Sequence, residues 1–165
     1  MAPLPLDFYR RDTVTVAREL LGRTLVRIDS RGRRLSGRIV ETEAYLGIQD
    51  PACHTFGGRR TPRVTSMYLA GGHAYVYFIY GMYFCFNVVT RDETAPEAVL
   101  IRAIEPLDGV EQMRRRRKVR SDRDLTSGPS RLCAALGIDR QLDGMVLDRP
   151  PIWIEGNTSA HQREI

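Results

Sequence analysis

The sequence predicts an α+β fold: a single domain over residues 1–165, with a curved, mainly antiparallel sheet, helices at its periphery and a protruding β-hairpin. Three observations predict it. Strand-like patterns follow one another across short turns, as antiparallel partners do. The helical patterns stand apart from the strands rather than alternating with them. The run HAYVYFIYGMYFCFN, from His73 to Asn87, gathers seven of the chain's thirteen aromatic residues around a central Gly81. An ordinary half-buried strand keeps its aromatic rings on one face. Here they fall on both, with a glycine turn between, and Met82 and Tyr83 come directly after the turn. Such a hairpin suits stacking against flat surfaces, bases among them.

The elements follow in order. Asp12 is an N-cap for a helix through VTVARELL, with Gly22 at the position after its end. TLVRID reads as a strand, SRGRR as a turn and LSGRIVETEAYL as the antiparallel return. Residues 47–72 are rich in Gly, Pro and polar groups, with at most a turn or two of helix around Val64–Leu69. A loop that long in a compact domain is usually functional. The aromatic hairpin spans 73–90, RDETAPE is a polar turn and AVLIRAIEP another strand. A helix is expected from Asp108 through DGVEQMRRRR, its basic end at the negative pole of the helix dipole. GPSRLCAALG makes a short helix, with Pro129 in its first turn and Gly137 after its last. PPIWIEG is read as a final strand.

Composition narrows the function. A hydrophobic content of 42% with 27% charged residues describes a soluble globular protein. No apolar run could span a bilayer and no signal-peptide core is present, so no membrane association and a cytoplasmic location are expected, nucleoid-associated if the source is prokaryotic. Cys53, Cys85 and Cys133 are odd in number, widely spaced and without a CxxC pair, which favours free thiols over disulfides. His54, His73 and His161 have no ligand spacing, so no metal is expected. The net charge is +5, and Lys118 is the only lysine, so nearly every base is arginine. Two readings of that bias stand: codon composition, or contact with phosphates, which guanidinium groups match bidentately. EQMRRRRKVRSDR, residues 111–123, is the densest basic stretch; a solvated helix end is its plainer reading.

Chemistry concentrates in two strands. GRIVETEAYLG puts Glu41, Glu43 and Tyr45 on one face of a strand. That face is either exposed to solvent or lines a cleft. His54, in the long loop, could reach the same place. Arg102 interrupts the apolar strand AVLIRAIEP, so it is either on an exposed face or paired with an acid, for which Glu43 is a candidate. Asn87 closes the aromatic run, as a plain edge residue or as an amide facing a ligand.

ETEAYLG, HTFGGRRTPR, YVYFIYGMYFCFN, VLIRAIEPLDG and SGPSRLCAALGI, in that order, resemble the alkyladenine (3-methyladenine) DNA glycosylase family, from the N-terminal helix to about Trp153. The resemblance implies a monofunctional, cofactor-free monomer acting on double-stranded DNA. A damaged purine of the 3-methyladenine, 7-methylguanine, hypoxanthine or etheno-adenine class would be flipped out and its N-glycosidic bond hydrolysed. By the same resemblance Glu43 and Arg102 are catalytic, Glu43 as the base that activates water and Arg102 as its holder. Tyr45, His54 and Tyr77 form the base sandwich, Asn87 excludes normal guanine, and Tyr80, Met82 and Tyr83 intercalate into the DNA. The family also implies a further sheet segment after Trp153, supplying a carbonyl to the water. The ending IEGNTSAHQREI does not match it, so a chain shortened at its C-terminus is expected. Two alternatives follow: a lesion-binding protein with little or no excision, and an RNA- or partner-binding domain in which the aromatic run is core.

Overall fold

The computed structural model describes residues 2–156; the polar ending from residue 157 onward lies outside the described residues. Asp12 does cap the first regular helix, its carboxylate accepting from the Thr15 amide at 3.0 Å. That helix, α2 (Thr13–Leu20), follows a short α1 (Leu6–Tyr9) which the sequence did not suggest. Gly22, at φ 85°, turns the chain after Leu21 into β1 (Thr24–Ile28). Asp29 shapes the next turn by accepting from the amides of Arg31 and Arg33, both at 2.9 Å, and β2 (Arg34–Tyr45) returns antiparallel. The hairpin is β3 (Ala74–Ile79) and β4 (Tyr83–Thr90), followed by β5 (Glu97–Pro106), α3 (Val110–Arg116), α4 (Pro129–Leu136), β6 (Asp148–Arg149) and β7 (Ile152–Glu155).

These strands form one seven-stranded sheet in the order β3-β4-β5-β2-β1-β7-β6, antiparallel at every pairing. Its two faces do different things. On one, Leu35 and Ile39 of β2, Phe86 and Val88 of β4, and Val99 and Ile101 of β5 pack with Val16 and Leu20 of α2 and with Leu132 and Leu136 of α4. Apolar burial on this face is the main source of stability. On the other face the 46–72 segment folds back over the sheet. Its Cys53, Val64 and Met67 bury against Tyr75, Val89 and Ala98 in a second, smaller core. The segment contains short 3₁₀ turns at Gly47–Gln49 and Phe56–Gly58 and a longer 3₁₀ stretch, Pro62–Tyr68, close to the short helix expected around Val64–Leu69.

One expectation is corrected. The helix expected from Asp108 begins at Val110, capped by Gly109 in the left-handed region at φ 78°. Asp108 is taken up instead by β2: it accepts from Ser36 Oγ at 2.8 Å and from Arg34 Nε at 3.0 Å. The basic stretch after it is largely exposed, as a solvated helix end is, and several of its arginines have partners within the fold. Arg114 pairs with Glu111 and Asp122, Arg116 with Asp29, and Arg117 donates to the carbonyls of Asp124 and Leu125.

Asp29 therefore joins the β1–β2 turn to that stretch. Burial opposes its ionisation, but hydrogen bonds from the backbone and guanidinium of Arg33 and from the Arg31 amide outweigh it and hold the carboxyl at about 2. A group whose pKa is lower folded than unfolded stabilises above its unfolded value and loses that contribution as pH falls through the folded value. Thermal melts between about pH 5 and about pH 2 should show this loss for the wild type and a shallower loss for Asp29→Asn. Parallel pH dependences would contradict the assignment.

Candidate active site

Strict alternation along β2 would carry Glu41, Glu43 and Tyr45 to the same face as Leu35 and Ile39, into the main core. The register prevents this. Ile39 pairs with Ile104 and Glu41 with Ala103, so Val40 is an extra residue on β2. Thr42 then pairs with Ile101, so Arg102 is an extra residue on β5. Such bulges re-aim side chains. After Val40, Thr42 and Ala44 turn to the core side, where Thr42 Oγ1 donates to the Ala17 carbonyl of α2 at 2.9 Å and Ala44 packs on the main core. Glu41, Glu43 and Tyr45 face the other way, and Arg102 meets them.

The contacts there are specific. Arg102 Nη1 donates to Glu43 Oε2 at 2.6 Å, and Arg102 Nε to Glu41 Oε1 at 2.8 Å. Tyr45 donates its hydroxyl to Glu43 Oε1 at 2.8 Å. Burial, then the hydrogen bond to Glu43, pushes the Tyr45 phenol up to about 12, so it is a neutral donor. Each Glu43 oxygen thus has one donor, and a carboxylate has lone pairs left for a water. The side chains of Arg102 and Glu43 are 38% and 42% exposed. Ion pairs that open to solvent are worth about 0–1 kcal/mol. Stability does not account for the cluster.

Tyr45 and Arg102 line a cavity of about 360 Å³, with His54, Tyr75, Tyr77, Cys85 and Asn87 among its other walls. That volume is within the range of small-ligand sites, about 300–1,000 Å³. His54 reaches it from the long loop because its neighbours are pinned. Cys53 and Thr55 are buried, and Thr55 Oγ1 donates to the Pro96 carbonyl at 3.0 Å. His54 Nδ1 shares a 2.9 Å hydrogen bond with the hydroxyl of buried Tyr75. Burial lowers the His54 pKa below its ordinary 6.5, so the ring is neutral at pH 7. Its centroid lies 4.0 Å from that of Tyr77, with planes tilted by 34°. A base between two rings needs about 7 Å, two contacts of about 3.5 Å each. His54 and Tyr77 are therefore one wall of the cavity. Asn87, buried at the cavity, donates from Nδ2 to the Tyr75 carbonyl at 3.2 Å.

The hairpin tip projects away from these contacts. Tyr80 is 88% exposed and Met82 65%, and Tyr83 is exposed beside them. Tyr80 at φ 52° and Gly81 at φ 69° both lie in the left-handed region, with the Met82 amide closing the turn on the Ile79 carbonyl at 3.2 Å. Glycine reaches that conformation freely, but a bulky residue there is strained. Among the described residues, no group of His, Cys, Asp or Glu could hold a metal ion, and no helix is long and apolar enough to cross a membrane.

The family model for methylpurine-DNA glycosylase (MPG) matches residues 7–165. The chain belongs to the methylpurine-DNA glycosylase family. Members of that family are DNA glycosylases, hydrolases of N-glycosyl bonds, and this chain is one of them. Among its relatives, a protein of Clostridium acetobutylicum provisionally named 3-methyladenine DNA glycosylase is 52% identical over 157 residues, covering 90% of this chain and 76% of that protein. A protein of the same name from Bdellovibrio bacteriovorus is 57% identical over 146 residues, covering 87% and 71%. Another, from Desulfitobacterium hafniense, is 52% identical over 152 residues, covering 87% and 74%.

Within this glycosylase, the residues singled out in the sequence fall into two neighbouring groups. Glu43, Arg102, Tyr45, His54, Tyr77 and Asn87 gather at or beside one cavity, whereas Met82 and Tyr83 stay at the exposed tip. Tyr80 belongs to both, since it also lines the cavity mouth. Tyr75 and Cys85 were missed, although period two from Tyr77 and from Asn87 places them on the cavity face. Cys85 is half-buried, and burial pushes its thiol up. Backbone strain at Tyr80 gives a direct expectation. Tyr80→Gly removes about 1–3 kcal/mol of strain and adds about 0.5–1 kcal/mol of unfolded-state entropy. The melting temperature should hold or rise; a clear fall would show that Tyr80 is not strained there.

Proposed function

We propose that this glycosylase flips alkylated or deaminated purines out of duplex DNA and hydrolyses their N-glycosidic bonds with a water activated by Glu43. The observation that carries the proposal is the Glu43 carboxylate, held from both sides by Tyr45 and Arg102 beside an aromatic cavity. The names of these relatives favour 3-methyladenine as one substrate, and 7-methylguanine, hypoxanthine and etheno-adenine fall in the same chemical class. The protein works as a monomer without a cofactor.

A stacked base cannot present its C1′ to a nucleophile, and extruding it costs a few kcal/mol. Tyr80, with Met82 and Tyr83 beside it, enters the gap from the minor groove and holds the duplex open. The extruded purine lies between Tyr45 and the wall made by Tyr77 and His54. An N-alkylated purine is cationic and favours ring faces. A neutral His54 adds no opposing charge. Asn87 fills the space that the amino group of a normal guanine would need.

The chemistry is then short. A water held at Glu43 gives its proton to the carboxylate and its oxygen to C1′, and the bonding pair of the glycosidic bond leaves with the purine. The carboxylate also faces the positive charge that develops on the sugar, as in other glycosyl transfers. A positioned base of this kind is worth about 10²–10⁴-fold. Among the described residues the cavity walls carry no amine, and Lys118 is the only lysine of the sequence. The product is therefore an intact abasic site.

Glu43→Gln should lose at least about 100-fold in single-turnover excision of 3-methyladenine and hypoxanthine from duplex DNA, while lesion-duplex affinity stays within a few-fold. Undiminished excision by the variant would remove Glu43 as the base. A wild type that binds lesions selectively but releases no base would replace the hydrolytic reading with the binding one.

A further inference from the structure

We propose that Arg63 and Arg140 clamp a DNA backbone phosphate in the groove along the outer edge of β3, beside the base cavity. The proposal rests on the glycosylase reading and adds a site to it. β3 is an edge strand of the sheet, and a groove of about 410 Å³ runs along it, lined by Arg63, Tyr77, Phe78, Arg140 and Asp143 among others. Tyr77 lines the base cavity as well, so one side chain separates the two spaces. A nucleotide whose base lies against Tyr77 must pass its sugar and phosphate around that ring.

The two guanidinium groups approach the edge from opposite faces. Arg63 lies 5.9 Å from the Tyr77 ring centroid and Arg140 lies 5.6 Å from that of Phe78. Adjacent residues of a strand point to opposite faces, so the groove between them is open to an anion held from both sides. Neither arginine has an acidic partner among the described residues, whereas Arg114 and Arg116 of the basic stretch are ion-paired. The backbone adds a donor. The outward amides of β3 are matched at Ala74 by the Met145 carbonyl at 2.7 Å and at Val76 by Asp143 Oδ1 at 2.9 Å. Phe78 is next in that outward phase, and among the described residues its amide meets no acceptor. Asp143, the acid in the groove, has its other oxygen occupied by Ser66 Oγ at 3.0 Å. Two free guanidinium groups and a backbone N–H suit a phosphodiester.

The site makes a prediction that the acid–base chemistry does not. Each phosphate contact contributes about 0.9 to the slope of log affinity against log salt. For lesion duplex, Arg63→Ala/Arg140→Ala should lower that slope by about one. Between about 50 and about 200 mM salt, the variant should then lose about 3- to 4-fold less affinity than the wild type. Arg63→Lys/Arg140→Lys should keep most of the slope, and Arg115→Ala/Lys118→Ala should keep all of it. Replacing the phosphates flanking the lesion, one at a time, by neutral methylphosphonate should weaken the wild type at one position and leave the Arg63→Ala/Arg140→Ala variant unaffected there. An unchanged slope, or methylphosphonate losses of equal size in both proteins, would overturn the clamp. Glu43→Gln excision, measured in parallel, reports separately on the underlying glycosylase reading.

Discussion

The site depends on a register constraint between β2 and β5. Ile39 and Ile104 must face the main core, and Glu43 must not. A regular ladder could not satisfy both, because side chains alternate with period two. An extra residue on each strand, Val40 and then Arg102, shifts the phase after the core isoleucines have been placed. The second extra residue is itself the cation that the acids require. One irregularity in the ladder thus turns the carboxylates away from the core and supplies the group that holds them.

Stability and function are divided by sheet face. Helices α2 and α4 bury their apolar sides on one face, where Leu20, Leu132, Leu136 and Phe86 are fully enclosed. The opposite face carries a smaller core, and the groups above it are satisfied by one another rather than by burial. Tyr75 holds His54, Tyr45 and Arg102 hold Glu43, and Asn87 is tied to the Tyr75 backbone. The solvent-open Arg102–Glu43 pair contributes little to folding, but together these contacts fix each group before a ligand arrives, as a preorganised site requires. Exposed apolar side chains and left-handed backbone at Tyr80 are the opposite arrangement. They are unfavourable in the free protein and useful only against a partner that buries them.

Much of this was legible in the sequence because it is local. The Asp12 cap, the turn at Gly22, Pro129 and Gly137 bracketing α4, and the period-two phase of Glu41, Glu43 and Tyr45 all follow from residues a few positions apart. Pairing of Arg102 with Glu43 was legible as a candidate, since an arginine within an apolar strand calls for an acid. The bulges were not, because a register shift is a property of two strands and leaves no mark on either alone. The His54–Tyr75 bond and the His54–Tyr77 contact join a loop to a strand, and spacing does not encode them. Asp108 misled for a related reason: its carboxylate serves Ser36 and Arg34, distant in sequence, rather than the helix beside it. The run of arginines was legible through its density, but its partners were not. Of the acids that pair with it, Glu111 and Asp122 lie in the stretch itself and Asp29 is distant in sequence, while Arg63 and Arg140, far apart in the chain, line one groove.

In the proposed reaction, the phase shift brings Glu43 to a water beside a purine held in the aromatic cavity. A crystal structure of the Glu43→Gln variant with a duplex containing a hypoxanthine or etheno-adenine nucleotide tests it most directly. The purine is expected between Tyr45 and the Tyr77–His54 wall, with Tyr80 in the vacated stack and a water within hydrogen-bond reach of residue 43 and facing C1′. A purine bound elsewhere, or a C1′ that no water at residue 43 can approach, would contradict it.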